Sequence, residues 1–192
     1  GYGNVGQHAA RFLADRGAVL VTATDLDGTV YDPKGIDHEK LTELKLETGR
    51  VTDYPGGEKL DRDAFIDLEC DIFVPAARPD VVDHTNAHRL KCKAIVQGAN
   101  IPCTAKAERI LFDRGIISVP DFVANAGGVI CAAVEYAGGT KSQAFATIDE
   151  KIRNNTSEVL ERMRRDEILP REAAVRMASE RVHAAMQYTR FD

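Results

Sequence analysis

The sequence predicts an α/β fold: a mostly parallel, doubly wound sheet with helices on both faces and a helical C-terminal segment. Short apolar runs of strand length alternate with segments of helical periodicity up to about residue 120. These runs are continuously apolar, as is typical of strands that are covered on both faces. From residue 125 onward the pattern is helical.

The chain opens on Gly1-Tyr2-Gly3-Asn4-Val5-Gly6, which matches the pattern G-x-G-x-x-G. In this pattern Gly1 allows a tight turn, Gly3 lets the backbone approach a pyrophosphate, and Gly6 lets the next helix pack against the sheet. The free N–H groups of that helix face the anion. A glycine-rich loop before any helix can match the pattern, so it is weak evidence alone. With its context it predicts a Rossmann-like fold that binds a dinucleotide.

The next two elements support this prediction. Residues 4–16 have one apolar face and predict a helix that Gly17 ends, and residues 18–24 predict a buried parallel strand. Asp25 follows 19 residues after Gly6, close to the spacing of the acid that binds a ribose hydroxyl. A carboxylate there repels a 2′-phosphate, so we predict NAD, with NADP as the second candidate. A plain Asp-Gly turn over residues 25–28 is the alternative interpretation.

The later elements follow from periodicity, caps and turn residues. Pro55-Gly56-Gly57 predicts a surface connection over residues 50–60. We predict helices over residues 37–48, 61–68, 86–90 and 104–114, strands over 71–75, 94–97 and 117–120, and C-terminal helices over 125–137, 142–165 and 170–187.

No strand precedes Gly1, although the dinucleotide pattern requires one there. In a sheet of order 3-2-1-4-5-6 that strand is central and would pair with residues 18–24. We therefore expect residues 1–192 to form one NAD(P)-binding domain whose first strand lies upstream of Gly1.

Composition and charge exclude several classes of protein. The 192 residues carry a net charge of −5, and no basic stripe indicates a nucleic-acid partner. No apolar run approaches the ~20 residues that span a membrane, and no signal peptide opens the chain. Four cysteines without metal-ligand spacing predict reduced thiols in a cytoplasmic protein and no metal site.

Ligands of an open parallel sheet bind beyond the carboxyl ends of its strands. The loops there carry Asn100 and Asn125, whose amides suit a carboxamide or ribose hydroxyls. A cap or a turn is the alternative role for each. The five histidines are scattered on polar faces, and no nucleophile–base pair is visible, so we assign no catalytic residue.

These segments resemble the C-terminal dinucleotide-binding domain of the glutamate/leucine/phenylalanine/valine dehydrogenases. The most specific stretch combines Val119-Pro120-Asp121 with Asn125-Ala126-Gly127-Gly128-Val129. Residues 1–6, 32–37, 74–77, 98–100 and 180–182 are also similar, so the resemblance covers the whole chain.

The resemblance implies reversible oxidative deamination of an L-amino acid to a 2-oxo acid and ammonia, coupled to NAD(P) reduction. In this family the catalytic residues and the substrate-binding lysines lie in an N-terminal domain. This chain is then the cofactor-binding half of the enzyme, inert alone, and it meets the amino-acid substrate through that other domain. The full-length enzyme is expected to be a homo-oligomer.

The resemblance also implies positions for the cofactor. It places the pyrophosphate at Gly3-Asn4-Val5 and the adenosine ribose near Asp25. It places the nicotinamide side near Ala76, with its neighbour Ala77, and near Asn100 and Asn125.

One departure from the family concerns the substrate. Glutamate-specific members usually carry a serine soon after the Gly-Gly pair, and this chain has Ala132 in its place. A methyl group cannot bond a side-chain carboxylate, which favours a branched or apolar amino acid. Two alternative functions are a non-catalytic dinucleotide-binding regulatory module and another class of NAD enzyme with this fold.

Overall fold

The computed structural model describes residues 1–188, which form seven α-helices, six short strands and two 3-10 turns. The helices are α1 Asn4–Ala14, α2 His38–Thr48, α3 Ala105–Asp113, α4 Asp121–Ala124, α5 Gly127–Tyr136, α6 Lys141–Asp166 and α7 Pro170–Tyr188. The strands are β1 Thr22–Thr24, β2 Thr29–Tyr31, β3 Glu58–Leu60, β4 Ile72–Phe73, β5 Ala94–Val96 and β6 Ile117–Val119, and the 3-10 turns are Val51–Asp53 and Arg62–Asp67.

The first three strands form an antiparallel sheet of order β1-β2-β3. This corrects the prediction of a parallel strand over residues 18–24, since only Thr22–Thr24 is paired and its partner β2 runs antiparallel. The Asp25 N–H donates to the Gly28 carbonyl (3.0 Å), and Gly28 has a φ of +157°. This turn folds the chain straight back as β2. β3, which lies within the predicted surface connection over residues 50–60, pairs with β2.

The other three strands form the parallel sheet β4-β5-β6. The helices and strands predicted between residues 94 and 120 are confirmed there, and the buried core beneath them includes Ile95, Ala107 and Leu111. Among the described residues the parallel sheet stops at three strands, so a single doubly wound sheet is not formed. The chain is α/β with two small sheets.

The C-terminal part is helical, as predicted. The helix predicted over residues 125–137 is confirmed as α5, which begins at Gly127 after a break at Asn125, and the short helix α4 before it was not predicted. Thr140 and Gln143 form a capping box at the start of α6. Helices α6 and α7 pack around Val159 and Met177, beside β6.

A cleft of about 1400 Å³ lies between the two sheets. Residues 18–25 line one wall, and residues 69–78 line the other. β1 is paired only with β2 and β4 only with β5 within residues 1–188, so the two strand edges that border the cleft have no strand partner there. Apolar side chains such as Leu20, Val21 and Phe73 face this space.

None of the helices in residues 1–188 combines the length and apolar character needed to cross a bilayer. Over the same residues, no three His, Cys, Asp or Glu side chains are grouped to hold a metal ion. The four cysteines are free thiols; Cys103 is buried and the others are partly buried. Burial raises the pKa of the Cys103 thiol to about 12, so it stays protonated.

Candidate dinucleotide site

The glycine-rich loop packs tightly at two of its three glycines. A Cβ built on Gly6 would lie 2.0 Å from the carbonyl oxygen of Gly1, and one on Gly1 would lie 2.6 Å from the Cβ of Ala77. Side chains at these two positions would collide with the backbone or with the neighbouring strand loop. The loop is anchored by Tyr2, whose N–H donates to the Thr24 carbonyl (2.7 Å) and whose hydroxyl donates to the His38 carbonyl (3.0 Å).

The third glycine faces open space. A Cβ on Gly3 would meet no atom within 4 Å, although its neighbours in the loop are crowded. Gly3 is the N-cap of α1, which has no side-chain cap and no acidic residue in its first turn. Free N–H groups and the positive end of the helix dipole therefore point into this space, which suits an anion.

A second cleft, of about 630 Å³, continues from this loop. Val5 forms one side. The rest comes from the loops after β4 and β5, from Asn125 after α4 and from the first turn of α5, and it includes Ala76, Ala77 and Gly98. A Cβ on Gly98 would lie 3.3 Å from Val5 and 3.4 Å from Ala76, so the walls are close and made of small residues. The structure thus brings together loops that the sequence analysis assigned to one ligand.

The two asparagines form a pair at this cleft. The side-chain amide of Asn125 donates to Oδ1 of Asn100 (2.8 Å) and, at 3.5 Å, to the Gly98 carbonyl. The Asn125 N–H in turn donates to the Asp121 carbonyl (2.7 Å). Since the Asn100 amide nitrogen is not used in this pair, it is a donor available to a polar group in the cleft.

Asp25 lies in the turn between β1 and β2, where its carboxylate is already hydrogen-bonded. One oxygen accepts from the Asp27 N–H (3.0 Å); the other accepts from Nζ of Lys45 (2.7 Å) and from the Val51 N–H (2.8 Å). Its side chain is only 9% exposed. The predicted ribose-binding acid therefore also holds the hairpin turn, α2 and the following 3-10 turn together. Asp25 thus has the backbone and side-chain hydrogen bonds of a turn residue, as the alternative interpretation of residues 25–28 predicts.

The Asp25 carboxylate should make stability depend on acid pH. Burial alone would raise its pKa, but Lys45 and the Val51 N–H outweigh burial and hold the pKa below the ordinary value. The contribution is therefore present above the unfolded pKa of about 4 and is lost as the pH falls through the lower folded value. Relative to Asp25→Asn, the advantage in unfolding free energy should shrink as the pH falls from about 5 through the lowered folded pKa. A constant difference across that range in urea titrations would contradict this.

Sequence reasoning missed two members of the site. Lys45 lies on α2, and only the fold brings it to Asp25. Tyr2, the variable position of the glycine pattern, is 3% exposed and serves as an anchor. The anchoring role of Tyr2 could have been inferred from the sequence, because a large aromatic residue between two glycines is unusual for a solvated loop.

Comparison with known proteins agrees with this architecture. Residues 1–190 match the glutamate/leucine/phenylalanine/valine dehydrogenase family. A glutamate dehydrogenase of Aeropyrum pernix is 42% identical, over 97% of this chain and 47% of its own length. An NADP-specific glutamate dehydrogenase of Saccharolobus shibatae is 44% identical, over 71% of this chain and 32% of its own length. The chain thus spans about half or less of these relatives.

Solved structures show the same fold. A hetero-hexameric glutamate dehydrogenase of Thermus thermophilus superposes with a TM-score of 0.86 at 23% identity, covering 100% of this chain and 47% of that one. An L-tryptophan dehydrogenase of Nostoc punctiforme superposes with a TM-score of 0.75 at 25% identity, covering 97% of this chain and 52% of that one. On its sequence match, its fold and its glycine loop, the chain belongs to the glutamate/leucine/phenylalanine/valine dehydrogenase family.

Proposed function

We propose that residues 1–192 are the NAD(P)-binding domain of an amino-acid dehydrogenase that interconverts an L-amino acid with a 2-oxo acid and ammonia. The observation that carries this is the open space at Gly3, set between the crowded Gly1 and Gly6 at the start of α1. Within a chain of this family, that space fits the pyrophosphate of a dinucleotide.

The cofactor supplies the hydride acceptor, and this chain binds and orients it. We place the pyrophosphate against the backbone of Gly3, Asn4 and Val5, where the helix N-terminus attracts the anion. We place the nicotinamide in the second cleft, between Ala76–Ala77 and the asparagine pair. Small side chains on both walls leave room for a flat ring, and the free Asn100 amide suits the carboxamide.

We propose that the first strand of the domain lies upstream of Gly1 and occupies the cleft between the sheets. Neighbouring strands lie about 4.8 Å apart, so one extra strand joins two edges separated by roughly twice that distance. The unpaired edges of β1 and β4 and the apolar lining support this. A central strand there joins the sheets into one doubly wound sheet. The substrate domain precedes it, and the whole enzyme is an oligomer in the cytoplasm.

We propose NAD as the preferred dinucleotide, with the adenosine ribose near Asp25. Lys45 reduces the difference in affinity between NAD and NADP, because its ammonium group neutralises the carboxylate that would repel a 2′-phosphate. Lys45→Met should therefore weaken NADP binding several-fold more than NAD binding. Lys40→Met is the matched control, since Lys40 is on the same helix and pairs with Asp37. Calorimetric titration with both dinucleotides measures this, and equal losses for both would contradict it.

We propose a substrate with a branched or apolar side chain, because Ala132 replaces the expected serine. Ala132 lies on the exposed face of α5, the helix whose first turn borders the second cleft. Ala132→Ser should raise kcat/KM for glutamate relative to leucine by about tenfold, the size of one well-placed hydrogen bond to a charged group. Ala133→Ser is the control, because Ala133 is also exposed but its side chain lies about 100° around the helix from that of Ala132. An unchanged ratio in Ala132→Ser would overturn this assignment.

Calorimetric titration of the full-length protein with NAD and NADP tests the proposed function. We expect one site per chain and tighter binding of NAD. Failure to bind either dinucleotide would remove the function altogether. Tighter binding of NADP would keep the domain assignment but reverse the cofactor preference.

A further inference from the structure

Arg171, in the first turn of α7, joins parts of the chain that are far apart in sequence. Its Nε donates to both carboxylate oxygens of Glu108 on α3, at 2.9 and 2.8 Å. Its Nη2 donates to Oε1 of Gln97, directly after β5, at 3.0 Å. Its Nη1 lies 2.9 Å from Oδ1 of Asp121, the first residue of α4 and two positions after β6. One guanidinium therefore ties the ends of two parallel strands to the C-terminal helix.

The groups around Arg171 are deeply buried. Gln97 is 0% exposed, Glu108 5% and Asp121 6%. The Gln97 amide also donates to Glu108 (2.8 Å) and to the hydroxyl of Ser118 (3.0 Å). Buried charges cost stability unless they are paired, and apolar packing would often serve stability as well. A cluster that keeps two acids buried beside an arginine whose side chain is 28% exposed therefore suggests a role in fixing geometry.

Asp121 connects this cluster to the asparagine pair through a strained residue. Its Oδ2 accepts from the Ile101 N–H (2.8 Å). Ile101 has a φ of +48°, a left-handed conformation that β-branched residues rarely adopt, and it directly follows Asn100. The Asp121 carbonyl holds the N–H of Asn125 (2.7 Å). Asp121 thus holds Asn125 directly and Asn100 through its neighbour Ile101.

Arg171 supports that residue mainly by charge. Oδ1 of Asp121 has no aligned hydrogen-bond partner among residues 1–188, although the guanidinium is at ion-pair distance. Burial opposes ionisation of Asp121, but the Ile101 N–H and Arg171 outweigh it and hold its pKa below the ordinary value. The carboxylate therefore stays charged and keeps its hold on the loop.

We propose that Arg171 and Asp121 are positioning residues that fix the Asn100–Asn125 pair for the nicotinamide half of the cofactor. Arg171 touches neither asparagine and acts through Asp121 and the strained Ile101. This inference rests on the proposed function, and it predicts that losing Arg171 disturbs only one end of the bound dinucleotide. The adenosine–pyrophosphate end lies against Gly3 and Asp25, which are outside the cluster.

The test uses the full-length protein and two ligands, NADH and ADP-ribose, which lacks the nicotinamide. In Arg171→Met the Kd for NADH should rise about tenfold, the cost of losing about one hydrogen bond to the nicotinamide carboxamide. The emission of bound NADH should move toward that of the free dinucleotide. The Kd for ADP-ribose should stay within about twofold, because its contacts lie away from the cluster. Arg171→Lys should restore part of the NADH emission, because it keeps a cation beside Asp121.

Two further variants keep the test decisive. Asp121→Asn keeps the size of the side chain but removes the charge that binds Arg171 and strengthens the bond to Ile101. It should therefore fold, and it should show the same NADH-specific loss if Arg171→Met is unstable. Arg176→Met is the matched control on α7, where Arg176 pairs with Glu172. It should change the Kd of neither NADH nor ADP-ribose. Parallel losses of both ligands, or no change in NADH emission, would overturn the inference alone. A wild-type protein that binds neither ligand would overturn the proposed function itself.

Discussion

Gly3→Asp should abolish dinucleotide binding while keeping or raising the stability of the fold. Gly3 is in an extended conformation at the N-cap of α1, and a Cβ there meets nothing within 4 Å. Aspartate is a preferred N-cap, so its carboxylate should bond the first-turn N–H groups and stabilise the helix by a few tenths of a kcal/mol, roughly the gain over glycine. The same carboxylate then occupies the place of the pyrophosphate and repels it.

The expected loss is large because the bonds to the pyrophosphate are charge-assisted. Losing two such bonds, each worth about 1.5–3 kcal/mol, raises the Kd about a hundredfold or more. Gly3→Asn is the matched control, since asparagine caps as well as aspartate but carries no charge. It should reduce affinity less. If Gly3→Asp bound NAD and NADP as the wild type does, the pyrophosphate would not lie at this helix.

Gly6→Ala should affect the stability of the fold as well as dinucleotide binding. Its Cβ would lie 2.0 Å from the Gly1 carbonyl oxygen, so the loop must shift before any ligand binds. Stability and affinity should fall together, whereas in Gly3→Asp they separate. This contrast distinguishes a ligand contact from a packing requirement within one six-residue loop.

The polypeptide of residues 1–192 alone should not behave as a stable monomer. Its β1 and β4 edges face a cleft of about 1400 Å³ lined by apolar side chains. Each buried and unpaired backbone group costs about 1–3 kcal/mol, against a total stability of about 5–15 kcal/mol. We expect broad, non-cooperative unfolding or self-association of this fragment.

A longer polypeptide that includes the upstream strand should unfold cooperatively at ordinary mesophilic temperatures. The comparison requires calorimetry and sedimentation of both polypeptides at equal concentration. A monomeric fragment of residues 1–192 with a sharp, reversible transition would show that the cleft needs no strand. The same fragment should show no deamination of any amino acid.

The sequence predicted the elements whose limits have local causes. Gly17 ends the first helix, Thr140 and Gln143 cap α6, and Pro170 begins α7, so these helices agree with prediction to within two or three residues. Their caps are readable without knowledge of the rest of the chain.

The antiparallel strands β2 and β3 could not be predicted in this way. Each has three residues, and Glu58–Leu60 is largely polar and exposed, so neither has a periodic pattern. β2 forms because the Asp25–Gly28 turn brings it against β1, and β3 forms because it pairs with β2. Tertiary pairing decided their structure, not local preference.

The partners of the candidate site residues were also beyond local reasoning. Asp25 was assigned to a ribose from its spacing, yet Lys45, 20 positions away, sets its charge balance. Asp121 depends on Arg171, which is 50 positions away. Spacing rules place a carboxylate near a ligand, but only the fold shows which cation pairs with that carboxylate.

Reduction of NAD by the full-length protein with a panel of L-amino acids tests whether this chain serves an amino-acid dehydrogenase. We expect a rise in absorbance from reduced nicotinamide that requires an amino acid, is accompanied by an equal amount of released ammonia and is lost in Gly3→Asp. Tight dinucleotide binding without reduction by any amino acid would contradict this expectation and favour a regulatory module.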